Sequence, residues 1–481
     1  MARQRQPAFV FIAIATLVFM LACTKARQRD DHSARLLRIE NTLQSPVQIL
    51  DREMYTRLSD RMAQLKVPGL SAAVFEKGKV VWAKAWGVLE AGSPRQADTH
   101  TIFQAASIGK PMTATLAMKA VDRGWIGLDQ PVNELLQEWK VPENDFTRRQ
   151  PVTLRLLLTH QAGILVGSFT GFREGEPIPS LVQILNGEPP AKNPPIVVDI
   201  LPGAEARYSD FNYAVIQQLL IERGGAPFGE MMQREVLDPS GMIDSGFEQP
   251  LSPPRRLNAA TGHRRNGEPI PGKYRIHPDL SPSGLWSTPT DICRWAMAVL
   301  DAWQGRSERL VTRALAKRML EEGFLSAKKL DNGGLRFDHT GSNIGFTSVF
   351  CAYTKDYGAA IMSNSGHFDI INELLRAIAV EYDWEDKDTK PMVVKVAALE
   401  DLGIYAGSYK IGDATITVSA DWDHLVAVSS EEGTLTLYPR SATDFIILEQ
   451  GLPITIESDD SGKVIRARNS NGLPIERIGA K

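Results

Sequence analysis

Pro111 restricts the fold of this 481-residue chain more than any other residue. It lies in "FQAASIGKPMTATL", residues 103–116. A residue without an N–H is accepted in a helix only in the first turn, where that donor has no partner to lose. A helix must therefore begin just before it, and Met112, Leu116, Met118 and Val121 offer it an apolar face. Ser107 falls at or beside the helix start, with Lys110 one turn on along the same face. A hydroxyl and an amine come within reach of each other, beside the unpaired N–H groups of a helix start. A capped helix with a surface lysine has this pattern; so does a nucleophile beside its base.

Hydrophobic residues make up 43% of the chain and the formal net charge is −3. That supports a large core and, by length, about three units. The near-neutral balance, with no long basic stripe, argues against a nucleic-acid partner. Three cysteines (Cys23, Cys293, Cys351) make no disulfide scaffold, and the last two lie in apolar patterns that read as core thiols. The eight histidines show no HxxxH, HxH or CxxC spacing, so neither a metal site nor another cofactor is expected.

The N-terminus reads separately. Arg3 and Arg5 precede "AFVFIAIATLVFMLA", 15 uncharged residues ending at Cys23. The run is short for a ~30 Å hydrocarbon core and fits the h-region of a signal peptide, with an uncleaved anchor as the alternative. "MLAC" resembles a bacterial lipobox, which implies lipidation of Cys23 and a protein held on the envelope, facing the periplasm.

Residues 24–48 read as a polar tether leading to a first helix near residue 50. "GLSAAVFEKGKVVWAKAWGV" reads as two strands around a turn at Glu76–Lys77–Gly78. Helical patterns follow, including "SDFNYAVIQQLLIERGG", which Gly224 and Gly225 stop. Strand patterns return at "GFTSVFCAY" and "GAAIMSNSG", then a helical run, "IINELLRAIAVEY". The main domain is thus 49–385, with a linker at 386–398. From 399 to 481, seven β-prone runs separated by turns at intervals of 8 to 12 residues predict a small β-sandwich or barrel.

Ser-x-x-Lys alone says little; Ser326–Lys329 repeats it and reads as a solvated helix edge. Ser107 is distinguished by its company: Tyr208–Ser209–Asp210 in "RYSDFNY" and His339–Thr340–Gly341 in "FDHTGSNIGF". With these three motifs the chain resembles the serine hydrolases related to class C β-lactamases and low-molecular-weight penicillin-binding proteins. The resemblance also takes in "VPGLSAAVF", "LRLLLTHQAGI", "EVLDPSGMIDSGF" and "SPSGLWSTPTDICRWA". It implies an α/β (α+β) β-lactamase/transpeptidase-like fold, in which an antiparallel sheet is flanked by helices and joined to an all-helical lobe. The tail from "LGIYAGSYKI" is similar to a small β-domain often appended to such enzymes.

The resemblance also implies roles. Ser107 attacks a carbonyl, Lys110 and Tyr208 handle its proton, and the backbone N–H groups of Ser107 and Ser342 form the oxyanion hole. Asp210, His339, Thr340 and Gly341 line the substrate trough, Gly341 letting an acyl group lie close to the strand. A lysine acting as base needs its pKa lowered by about 3 units, or ~4 kcal/mol. A cation ~4 Å from a phenol at an effective dielectric of ~20 stabilises the phenolate by about as much. Tyr208 beside a charged Lys110 is the favoured base, and Lys110 remains a co-base.

Two departures bear on substrate. Asp210 stands where β-lactamases usually carry asparagine, and would hold Lys110 charged. His339 stands where they carry lysine, which removes a permanent positive charge. The expected substrates are therefore an ester, a D-Ala-D-Ala-type peptide and a β-lactam, in that order, with a class C-type β-lactamase as the alternative. Two further alternatives are an α/β-hydrolase elbow at "AASIG" and a non-catalytic envelope protein that keeps the fold to bind a ligand.

Overall fold

A computed structural model describes residues 32–412, 414–429, 433–459, 464–470 and 472–478. The segment read as a signal peptide, Cys23 included, lies outside the described residues. Two compact units emerge: Met62–Ile371, and a second that joins the chain up to Arg61 with the chain from Asn372 on.

The first unit is built on six antiparallel strands: β1 (Gly69–Glu76), β2 (Lys79–Gly87), β3 (Ala327–Lys329), β4 (Leu335–Asn343), β5 (Phe346–Tyr353) and β6 (Tyr357–Ser363). They lie in the order β2-β1-β6-β5-β4-β3. The β1–β2 hairpin turns at Lys77 and Gly78, both with positive φ (51° and 70°), the conformation that matches strand twist in a two-residue turn. Ala327–Lys329 is thus an edge strand, not the helix edge expected for the second Ser-x-x-Lys. No parallel pair occurs among the described strands of this sheet, and Phe103–Gln104 only bridges Trp286–Ser287, which disposes of the α/β-hydrolase elbow.

The Ser107 motif opens the helical part. A 3-10 turn at Ala106–Ile108 leads into helix α1 (Gly109–Asp122), which has Pro111 in its first turn. Nearly every side chain of α1 is buried, because it runs through the core rather than along a surface. Helix α2 (Asp210–Gly224) packs beside it and stops where Gly225 turns left-handed at φ 64°. Helix α3 (Pro289–Gln304) lies across β1 and β6 and sends Trp295 edge-on to Phe337 and Phe350. Cys293 and Cys351 are both buried core thiols.

Gly341 on β4 faces the turn that carries Ser107. A Cβ there would overlap the Ala105 carbonyl oxygen and Ser348 Oγ, and Ser348 Oγ donates to that same carbonyl at 2.9 Å. Gly341 is therefore required by packing between the strand and the Ser107 turn.

In the second unit, residues 32–41 form a helix where a tether was expected, and the helix nearest residue 50 is Leu58–Gln64. Arg38 pairs with Glu381 at 2.6 Å on α4 (Phe368–Glu381). Within 386–398, read as linker, Met392–Val394 pairs in parallel with Val47–Ile49. The C-terminal β-domain is a closed antiparallel barrel of β7 (Gly407–Ile411), β8 (Ala414–Asp421), β9 (His424–Ser429), β10 (Gly433–Pro439), β11 (Asp444–Ile447), β12 (Pro453–Ser458), β13 (Val464–Arg468) and β14 (Pro474–Ile478). The last strand, not anticipated from sequence, closes it by pairing with β7.

Gly341→Ala is expected to lower the unfolding midpoint by an amount equivalent to about 1–3 kcal/mol, the usual cost of overpacking. Chemical denaturation of wild type and variant measures it; an unchanged midpoint would contradict the contact with Ala105.

Candidate active site

Ser107 is half-buried at the bottom of the junction between β4 and the helices. The residue before it, Ala106, is held at φ 49°, a left-handed conformation that costs a non-glycine residue about 1–3 kcal/mol and is common where a site must present one side chain. Behind that turn the N–H of Ser107 stands at a helix start, where no intrahelical carbonyl can reach it.

Lys110 is the only lysine among the largest fully buried side chains, 1% exposed. Its ammonium donates to Ser107 Oγ at 2.7 Å and to the Pro282 carbonyl at 3.3 Å. Asp210 Oδ1 lies 2.7 Å away, a contact of charge rather than an aligned hydrogen bond. The rings of Tyr208 and Tyr213 stand 5.1 and 5.8 Å from the same nitrogen. Burial works against the charge on Lys110. The Asp210 carboxylate, then Tyr208, outweigh it and hold the ammonium above the ordinary lysine range.

Asp210 is the first residue of α2 but not its cap. The cap is instead Ser209, whose side chain accepts from the Phe211 N–H, which leaves the Asp210 carboxylate to Lys110. Tyr208, just before the helix, is 49% exposed, so its ring borders both the buried ammonium and solvent.

His160 follows the short helix Leu154–Leu158, in the loop that leads away from it. It also does more. Held at φ 57°, it packs its ring against Tyr208 at a 37° tilt with ring centroids 4.5 Å apart, and its Nδ1 accepts from the Ser209 N–H at 3.2 Å. The ring fixes the segment that carries Tyr208, and no spacing in the sequence signalled it. Burial, reinforced by the Lys110 charge, pushes its pKa down to about 3.

On the opposite wall, Thr354 N–H donates to the Leu335 carbonyl. In an antiparallel pair such bonds alternate, so Leu335, Phe337, His339, Gly341 and Asn343 face β5 with their backbone groups. Thr340 and Ser342 turn theirs to the outer edge, which β3 covers only as far as Phe337. The Ser342 N–H therefore points away from the sheet, one residue beyond the Gly341–Ala105 contact. His339 is half-buried, 6.0 Å from Tyr208 between ring centroids, with Nδ1 donating to the Thr340 carbonyl at 2.7 Å. Burial, then the Lys110 charge, pushes its pKa down to about 4, so the ring is neutral at physiological pH. Asn343 ties the strand end to the helices, donating to Gln104 and to the Ser283 carbonyl.

The three motifs thus meet in one place. Residues 56–381 match the Beta-lactamase family. The chain belongs to that family of serine hydrolases. It is 26% identical over 263 residues to the Beta-lactamase of Escherichia coli K12, covering 54% of this chain and 63% of that protein. It is 24% identical over 238 residues to the D-alanyl-D-alanine-carboxypeptidase/endopeptidase AmpH of the same organism, covering 49% of this chain and 58% of that protein. The chain spans less than two thirds of the length of these curated relatives. Among solved structures, the octameric penicillin-binding protein homologue from Pyrococcus abyssi superposes with a TM-score of 0.59 at 20% identity, covering 87% of this chain and 98% of that one. At that identity the likeness is one of fold, and the β-lactamase/transpeptidase-like architecture is this family's.

Each site histidine binds fewer protons folded than unfolded, where its pKa is ~6.5. Acid therefore favours the unfolded chain, and stability falls as pH drops from about 6.5 toward the folded values of about 4 and about 3. Thermal melts over that window are expected to show a progressively lower Tm, with a shallower slope in His160→Asn, since asparagine tolerates positive φ.

Proposed function

We propose that this Beta-lactamase-family chain hydrolyses carboxylic esters through an acyl-serine at Ser107. The observation that carries this reading is the Lys110 ammonium, buried, charged and 2.7 Å from both Ser107 Oγ and the Asp210 carboxylate. A lysine so held is a poor base. It is a good electrostatic partner for a phenolate, so Tyr208 takes the Ser107 proton as Oγ bonds to the carbonyl carbon. The resulting oxyanion is stabilised by the N–H groups of Ser107 and Ser342. Collapse breaks the bond to the leaving alkoxide, which receives the proton from Tyr208. Water then gives a proton to Tyr208, attacks the acyl carbon, and releases the acid as Ser107 regains its hydrogen.

The preference for esters over D-Ala-D-Ala peptides and β-lactams rests on His339. A neutral imidazole at this position offers no standing positive charge to a substrate carboxylate. Peptidase and β-lactamase activity are the second and third readings, favoured by the relatives' names. We also propose that Cys23 carries the lipid that anchors the protein to the envelope, on the strength of the "MLAC" motif.

A fluorophosphonate probe is expected to label wild type and not Ser107→Ala; equal labelling rejects the assignment. Tyr208→Phe should lower turnover of p-nitrophenyl butyrate by about 10²–10⁴-fold, the range for loss of a general base. Side-by-side assays with a D-Ala-D-Ala peptide and nitrocefin should rank both below the ester. His339→Lys should raise their rates relative to it; fast wild-type nitrocefin turnover reverses the order.

Intact-mass measurement of membrane-extracted protein should give a lipidated Cys23 start. An unmodified Met1 start excludes the anchor.

A further inference from the structure

The C-terminal barrel encloses a cavity of about 290 Å³. Eight strands make a barrel whose interior is either just filled by side chains or able to hold one small ligand. Here it is unfilled, because Ala414, Ala427 and Ala467 occupy inward positions that larger residues would fill. A second observation agrees. Ile411, Ile416, Val418 and Leu435 line the interior yet are only half-buried, as apolar side chains are when nothing packs against them from the centre.

The two ends differ. At one, the 3-10 turn Gly403–Tyr405 places Tyr405 edge-on to Phe445 at 5.0 Å, its hydroxyl donating to the Ala442 carbonyl at 2.8 Å. Tyr409 donates to the Tyr405 carbonyl at 2.6 Å. Both lining phenols are thus engaged with backbone, and the deep part of the cavity is apolar. At the other end, where β9, β11 and β13 run out, the lining among the described residues becomes polar but uncharged: Ser429, Gln450 and Asn469. Leu452 and Leu473 stand near that rim, 43% and 53% exposed.

We propose that the barrel binds the aliphatic chain of a fatty acid, methylenes inside and head group at the Ser429–Gln450–Asn469 rim. A polar or ionic ligand would meet an interior without partners for it, which desolvation forbids. A volume of 290 Å³, set against the ~30 Å³ share of one water, accepts on the order of ten methylene-sized groups. A flexible chain fits an apolar interior whose polar lining, among the described residues, gathers at one end. The proposal goes beyond the hydrolytic reading and does not depend on it.

Full-length protein titrated with N-phenyl-1-naphthylamine should show a saturable fluorescence rise at one site per chain, displaced by decanoate and dodecanoate. Hexanoate, four methylenes shorter than decanoate, should compete at least about tenfold more weakly. Ala427→Trp and Ala467→Phe fill the cavity and should each weaken binding by about tenfold or more, with p-nitrophenyl butyrate turnover unchanged. Ser107→Ala should bind the probe as wild type does, even if it proves not to be the nucleophile. Absence of saturable binding, equal displacement by hexanoate and dodecanoate, or loss of binding in Ser107→Ala overturns the proposal. So does full binding in both filled variants. The chain-length series on wild type decides the matter should a filled variant misfold.

Discussion

A lysine ammonium buried to 1% exposure can persist only where its lost hydration is replaced, and Lys110 has three replacements. They are the Asp210 carboxylate, the Ser107 hydroxyl and the Pro282 carbonyl. These come from the start of α2, the turn ahead of α1 and the short helix Leu280–Ser283. One charge therefore holds three separate chain segments in register. Removing either member of such a pair leaves the other stranded, typically at a cost of about 3–5 kcal/mol, so the geometry of the site and the integrity of the helical core are one problem.

The sheet solves the other half. Its contribution is a wall that packs closely against the Ser107 turn, with the Ser342 N–H on the outer edge of its strand. Gly341 and Ser348 set that approach against Ala105, and Asn343 fastens the strand end to residues 104 and 283. His160 completes the arrangement from the loop side by packing its ring against Tyr208. The barrel obeys a different rule: its side chains alternate in and out, and small residues at inward positions leave space rather than bring backbones together.

Much of this was legible because its signals are local. Pro111 marks the start of α1, Gly225 the end of α2, and Lys77–Gly78 the first hairpin. What escaped had weak or misleading local chemistry. The helix over 32–41 is rich in charge and reads as tether, although Ile39 and Leu43 are buried. Residues 392–394 look like linker because their strand partner, 47–49, is remote in sequence. The closing strand, Pro474–Ile478, begins with proline and puts Glu476 and Arg477 side by side, breaking any alternation, so its β character comes from pairing with β7 and β13.

The candidate site divides in the same way. Residue types and their order along the chain pointed to Ser107, Lys110, Tyr208, Asp210 and the His339–Gly341 triplet, because the short motifs that hold them resemble those of the family. The neutrality of His339, the packing demand at Gly341 and the part played by His160 came only with the tertiary structure. Each depends on distances between segments far apart in the chain and on how much water they exclude. Those are properties of packing, and a linear spacing of residues does not contain them.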